Sequence, residues 1–304
     1  MKQFIYMSAI IGSFIIMLLF PKETFLGASN GLLLWFQIVL PTLLPFIIVS
    51  NLFIHTNAMG YISRLLSPFL RRLFSISESA CYVVLVGFLC GYPMGAKATA
   101  DLVQTRKISK KEGQYLLSFC NNTSPMFIIS FIVMQNFKDN SLLLGTLTIL
   151  LLTPVLCSFF FRKYYKIKPS KSTTYYDAKE KFVFNFDIFD HCMMNGFDAI
   201  TRVGGYMILF SILFSLCMKL PANYYLPFLE ISNGIPWIMS TGLPMSIVFP
   251  YVLALTSFGG LCAVAQTNSM IRGTGIHISS YIIQKLITSL VTSFLAFCYM
   301  QFIH

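Results

Sequence analysis

Five consecutive residues, Asn121-Asn-Thr-Ser-Pro125, put four hydrogen-bonding side chains and a helix-breaking proline inside an otherwise apolar run. In hydrocarbon such groups must find partners, so Asn121, Asn122, Thr123 and Ser124 either cap neighbouring backbone or line a cavity. Pro125 donates no N–H, which frees the carbonyl one turn earlier for an ion or a substrate. A second polar set, Gln266-Thr-Asn268, sits in another apolar stretch behind Gly259 and Gly260. A third stretch breaks at Gly91-Tyr-Pro-Met-Gly95, two residues before Lys97. A lysine held near the membrane midplane is costly and therefore a candidate anion ligand; an i, i+4 pair with Asp101 is the alternative. Tyr92 offers a ring for stacking. The glycines either let backbone approach a ligand or let helices pack closely. Glu230 and Asn233, between Pro227 and Pro236, read either as solvated interfacial groups or as contacts for substrate or a cation.

This inventory points to binding rather than covalent chemistry. Gly27-Ala-Ser-Asn-Gly31 has the G-x-S-x-G spelling of a nucleophile elbow, but it joins two apolar runs where an elbow needs a strand, a sharp turn and a helix. His55, His191, His277 and His304 are scattered at segment ends with no HExxH spacing. The eight cysteines include no CxxC pair and read as packing residues. Neither enzymatic activity, nor a cofactor, nor a metal site is expected.

The elements that position these residues must be membrane helices. With 56% hydrophobic and 11% charged residues and a mean hydropathy of +0.71, a chain of 304 residues cannot be wrapped by one water-facing surface. Continuous apolar runs at 4–20, 31–54, 115–134, 141–161, 203–218 and 279–302 match the roughly 17–25 residues that cross a bilayer, and they lack the alternation of a barrel. The first run reads as an uncleaved anchor rather than a signal peptide ending near Ser29. The net charge of +11 is gathered between these runs: Arg64, Arg71 and Arg72; Arg106, Lys107, Lys110 and Lys111; then Arg162, Lys163, Lys166, Lys168, Lys171, Lys179 and Lys181. That pattern sets orientation rather than nucleic-acid binding, and it places all three stretches in the cytoplasm.

The segment 80–102 lies between two of these basic stretches. A full crossing would put them on opposite sides, so a re-entrant hairpin is expected, its arms of about ten residues reaching about 15 Å, half the hydrocarbon thickness. Ser75-Ile-Ser-Glu78 and Ser109-Lys-Lys-Glu112 match capping boxes ahead of the hairpin and of the next run. Shifting the sequence by 168 lays Gly91, Thr99 and Ile108 over Gly259, Thr267 and Ile276. The order of elements repeats as well, and tracking sides makes the second copy inverted, the signature of secondary transporters. The expected fold class is therefore all-α: a polytopic membrane protein with two inverted-topology repeats, each containing a re-entrant helical hairpin. The divisions are an N-terminal anchor and loop at 1–30, a first repeat at 31–161 with its hairpin at 80–102, a basic cytoplasmic loop at 162–190, and an inverted repeat at 191–304 with its hairpin at 245–271. Both termini are expected in the cytoplasm.

The stretches Gly87-Phe-Leu-Cys-Gly-Tyr-Pro-Met-Gly-Ala-Lys97, Ile108-Ser-Lys-Lys-Glu112 and Ser118-Phe-Cys-Asn-Asn-Thr-Ser-Pro-Met-Phe127 closely resemble the YlbJ family of sporulation integral membrane proteins, which carries the nucleoside recognition or Gate domain. Val39-Leu-Pro-Thr-Leu-Leu-Pro-Phe46, Glu230-Ile-Ser-Asn-Gly234 and Ser257-Phe-Gly-Gly-Leu-Cys-Ala-Val-Ala-Gln266 extend the likeness. The resemblance implies a fold related to concentrative nucleoside transporters, a bacterial cytoplasmic or forespore membrane, and, for sporulation members, a role in moving dipicolinate. Residues and resemblance together predict a secondary transporter of a small polar solute, an organic anion, held between two hairpin tips. Gly91, Tyr92, Gly95, Lys97 and Thr99 would meet Ser257, Gly259, Gly260, Gln266, Thr267 and Asn268 there, beside Asn121 to Ser124. A nucleoside-type transporter and a non-transporting scaffold of a spore-envelope complex are the alternatives. Expected partners are lipid, the solute and a coupling cation, with no nucleic acid; self-association into a homo-oligomer stays open.

Overall fold

In lipid a chain satisfies its own backbone most simply as helix. The computed structural model describes residues 2–55, 58–168, 185–218 and 223–303, and among them there is no strand. Helices α1 (Lys2–Leu19), α2 (Pro21–Leu34) and α3 (Leu40–His55) come first, the last two joined by a π turn at Trp35–Val39. The amphipathic α4 (Ala58–Phe74), α5 (Glu78–Leu89), α6 (Met94–Gln104) and α7 (Lys110–Cys120) follow. Next are α8 (Pro125–Phe127), continued as a π-helix over Ile128–Phe137, then α9 (Leu143–Tyr164) and α10 (Phe186–Cys217). The chain closes with α11 (Ile231–Met239), α12 (Met245–Phe258), α13 (Gly260–Met270) and α14 (Ile278–Ile303). Six segments among the described residues are long and apolar enough to cross a membrane: Pro21–Phe53, Lys110–Phe137, Asn140–Tyr164, Phe186–Cys217, Met245–Met270 and Ile278–Phe302.

Hydrogen bonds fix which helix ends lie together. Ser77 N donates to Glu112 Oε1 at 2.6 Å, Gln104 Nε2 to the Arg272 carbonyl at 3.1 Å, His277 N to Gln114 Oε1 at 2.8 Å, and Arg162 to the Leu73 carbonyl at 3.1 Å. The starts of α5, α7 and α14 therefore share one end of the bundle with the ends of α6, α9 and α13. At the other end Phe249 stacks on Tyr299 at 5.7 Å and lies 5.5 Å from Phe137. The basic stretches at 106–111 and 162–168 both lie at the first end, as a shared cytoplasmic location requires; Lys171, Lys179 and Lys181 fall outside the described residues.

This tracing corrects three expectations. The segment 245–271 is not a hairpin: Phe249 meets Tyr299 near the start of α12, and Tyr281 meets Thr267 in α13. The segment α12–α13 thus runs antiparallel to α14 along its whole length, as one span-length helix broken at Gly259. Its break is confined to Gly259 and Gly260, both at positive φ, and the chain does not turn back there. The repeats are not inverted at their last helices either. Gln114 bonds His277, and Asn121 bonds both Tyr281 and Lys285, so α7 and α14 run in the same direction. Finally, an inverted second repeat would put the turn that follows residue 271 opposite the basic stretch at 106–111, yet the Lys110 ammonium lies against Gly275 in that turn.

At the first break α5 and α6 fold back on each other as a helical hairpin. Gly87 in α5 and Gly95 in α6 both press on one carbonyl, that of Cys120, so closely that a Cβ would come within 1.8 and 2.0 Å of it. Of the two capping boxes, Ser109 accepts from Glu112 N, whereas α5 begins at Glu78, two residues later than a box at Ser75 would start it, and Ser77 N is held by Glu112 instead. The G-x-S-x-G spelling turns out to be a helix seam: Gly27 and Gly31 let α2 close on Ile212 and Ser211 of α10, and Trp35 donates to the Ile200 carbonyl at 2.9 Å.

Candidate substrate site

The proline at 125 ends α7 at Cys120 and leaves 121–124 non-helical until Ser124 Oγ, accepting from Phe127 N, restarts the helix. Asn121 is fully buried in the gap. Its Nδ2 donates to Thr267 Oγ1 and to the Tyr281 hydroxyl, both at 2.9 Å, while its Oδ1 accepts from Ala96 N. The Asn122 carbonyl takes Tyr92 N at 2.7 Å, and Thr123 Oγ1 donates to the Thr256 carbonyl at 3.0 Å. One broken helix thus holds the α5–α6 turn on one side and the α12–α13 break on the other. Gly91 makes the first approach possible, with φ of 77° and a Cβ position only 2.6 Å from Ser124 N.

Into this gap points the one charged side chain of α14. Lys285 is 2% exposed, and its Nζ donates to the Asn121 carbonyl and to Asn122 Oδ1, each at 3.2 Å. The Asn121 carbonyl is the one Pro125 leaves without its helical partner. An ammonium carries three N–H groups, so two are taken up and one remains for a ligand. Among the described residues no carboxylate pairs with it, and a buried cation without a counter-charge costs several kcal/mol.

Beside the gap lies a cavity of about 30 Å³, walled by Tyr92, Thr123, Ser124, Glu230, Gly259 and Gln266 and, on its apolar side, by Val39, Leu43, Val203 and Met207. That is space for a water or two, far below the few hundred Å³ of a solute site, so the arrangement described is a closed one. Gln266 Oε1 is buried there without a hydrogen-bond partner, its amide nitrogen facing Cys262 Sγ at 3.3 Å. Glu230, 3% exposed, caps α11: Oε2 accepts from Asn233 N at 2.8 Å and Asn233 Nδ2 at 3.1 Å. Its carboxylate is thus held by neutral donors. Asn233 also donates to Ser211 Oγ of α10 at 2.6 Å, which ties α11 to the bundle.

Most residues singled out in the sequence meet here, in two different roles. Tyr92, Thr123, Ser124, Glu230, Gly259 and Gln266 face the cavity; Gly91, Gly95, Asn121, Asn122 and Thr267 build the backbone junction around it. Ser257 accepts from Thr292 of α14, and Gly260 packs on the Phe228 carbonyl. Three lie elsewhere. Lys97 is half-buried one turn into α6 beside Asp101 and does not face the cavity; Thr99 spends its hydroxyl on the Gly95 carbonyl; Asn268 is exposed. Sequence reading left out Lys285, Tyr281 and Cys262. For Lys285 a signal was present, a lone charge in the first third of an apolar run, but Gln284, Thr288, Ser289 and Thr292 around it hid which face turns inward.

Comparison with known proteins agrees with the motifs. No solved structure matches the chain. It is 25% identical over 312 aligned residues to the sporulation integral membrane protein YlbJ of Bacillus subtilis (strain 168), an alignment covering 88% of this chain and 75% of that protein. Residues 36–138, from within the π turn through the hairpin and the broken α7–α8 helix, match the Gate family model, described as nucleoside recognition. The chain is thus an integral membrane protein similar to YlbJ, and the stretch that matches the Gate model contributes one wall of the site.

Proposed function

We propose that the protein is a secondary transporter of a small organic anion, bound where the α5–α6 turn, the α7–α8 break and the start of α13 converge. The observation that carries this is Lys285: a buried ammonium, unpaired with any acid among the described residues, held at a helix break by two neutral acceptors. The starts of α6 and α13 add partial positive charge on either side, about half an elementary unit for a helix N-terminus. Tyr92, within van der Waals reach of Gly259, supplies a ring for a planar solute. In the bilayer the α5–α6 hairpin is re-entrant: arms of 12 and 11 residues reach about 17 Å, half the hydrocarbon, and both start from the basic end. That end faces the cytoplasm of a bacterial cell or forespore, which leaves the end of α14 on the other side. Glu230 and Gln266, acceptors around a water-sized cavity, are the contacts for a coupling cation.

Transport of carboxylates by the purified protein in liposomes tests the proposal. Uptake of benzene dicarboxylates or dipicolinate, lost in Lys285→Met and exceeding uptake of uridine, is the expected result. Saturable uridine uptake insensitive to Lys285→Met would instead support nucleoside transport, the reading that the description of the matched Gate model favours. The closed cavity favours the scaffold reading only if neither solute is moved.

A further inference from the structure

The basic end of the bundle holds an open groove of about 960 Å³ that the substrate site does not use. Its walls carry six basic side chains, Arg106, Lys107, Lys110, Lys111, Lys166 and Lys168. They carry one acid, Glu112, which is engaged by Ser77 N. Orientation in the membrane requires positive charge on this side, but not that the charges at 106–111 and those at 166–168, which two span-length helices separate in the chain, fold into one concavity. A cleft lined by one sign of charge between low-dielectric walls focuses its field and concentrates the opposite ion.

A polar seam leads from this groove to the buried lysine. On α7 Lys110, Gln114 and Ser118 follow at helical spacing on one face, with Asn121 just past the helix end; on α14 Tyr281 and Lys285 do the same, with His277 just before the helix start. The two faces meet. Gln114 Nε2 donates to the His277 carbonyl at 3.2 Å and receives His277 N at 2.8 Å, Asn121 donates to Tyr281, and Lys285 to Asn121. Beside the seam Gln284, whose amide donates to the Tyr165 hydroxyl, keeps its Oε1 buried without a partner. Asn121 stands eleven positions beyond Lys110, a helical rise of about 16 Å. Polar side chains placed between apolar helices are costly unless something uses them.

We infer that the groove is a second, loading site for the anion and that the α7–α14 seam conducts it to Lys285. The inference rests on the transporter reading for the seam but not for the groove, and the test separates the two. In the full chain, with its native cysteines replaced and reconstituted in liposomes, Gln104→Cys reports on the groove rim. A negatively charged sulfonate thiol reagent should react about tenfold faster than a trimethylammonium one. Benzene-1,2-dicarboxylate should slow the reaction, and Lys110→Gln with Lys166→Gln should remove both effects. Lys285→Met should change neither, so a failed transporter reading leaves this result standing. Equal rates for the two reagents, or protection by phosphatidylglycerol in place of the dicarboxylate, would overturn the groove; the latter would assign it to lipid headgroups. For the seam, Gln114→Leu and the milder Ser118→Val should slow uptake while equilibrium dicarboxylate binding persists. Uptake unchanged in both would sink the route.

Discussion

Two glycine breaks, at Gly91 and at Gly259, look alike in sequence and do opposite things to the chain. At the first, four residues from Cys90 to Pro93 separate two helices, and Tyr92 N finds the Asn122 carbonyl, so the chain reverses and α6 returns beside α5. At the second, Gly259 is the one residue between the two helices and Gly260 shares its positive φ; the Gly259 N–H still bonds the Leu255 carbonyl, and α13 continues along α14. Glycine at positive φ licenses a break in either case, with φ of 77° and 87°. Direction is decided by how many residues the break contains and by which backbone groups outside the helix receive them.

The sharpest way to break this comparison is a matter of sides, where the effect is all or none. Single cysteines at Lys111 and Arg272 should be labelled from the same face of the membrane, and Asp139→Cys and Ser240→Cys from the other. Labelling of Arg272→Cys together with Ser240→Cys would restore a re-entrant second hairpin and overturn the straight helix.

Next in size is the packing behind each break. A Cβ at Gly95 would stand 2.0 Å from a backbone oxygen that cannot move without moving α7. We expect Gly95→Ala to destabilise by about 3 kcal/mol or more. At Gly259 the nearest atom is the Ala263 methyl at 3.1 Å, so Gly259→Ala should cost mainly the positive-φ strain, about 1–2 kcal/mol. Thermal unfolding of both variants in detergent orders the two, and an equal loss would mean that the breaks are packed alike.

The lysines extend the comparison from backbone to charge. Lys285→Met should reduce carboxylate transport about a hundredfold, the effect of removing a charge partner worth roughly 3 kcal/mol, while folded yield holds, since an apolar isostere in a buried ionic position is tolerated. Gln266→Ala should cost about tenfold or less, as loss of one neutral hydrogen bond does. Lys97→Met should fall within about twofold of wild type, because it lies off the cavity, where one partly exposed charge is worth under about 1 kcal/mol. A larger effect of Lys97→Met than of Lys285→Met on the Michaelis constant for a dicarboxylate would move the anion to the α6 side.

Much of the site was legible because the rules that expose it are local. Pro125 cannot donate, so the Asn121 carbonyl had to be free, and Lys285 now occupies it. Gly87, Gly91 and Gly95 announced close packing, and all three lie against 120–124. The identity of the cation was not local. Lys97 stands next to a visible break and Lys285 in an unbroken helix, but only the packing of α14 on α7 and α9 turns the second inward.

By itself the sequence determined the solvent, the helices and the points where they break. Apolar content beyond what a water-facing surface can hold requires lipid, lipid requires helix, and Gly and Pro have only a few backbone conformations to offer. The tertiary structure alone decided direction, pairing and charge placement. A repeat spacing of 168 residues is compatible with parallel or inverted copies, and α7 and α14 are seen to be parallel only through bonds between residues more than 160 apart, such as Gln114 with His277 and Asn121 with Lys285. Those bonds depend on where whole helices come to rest, which no window of neighbouring residues encodes.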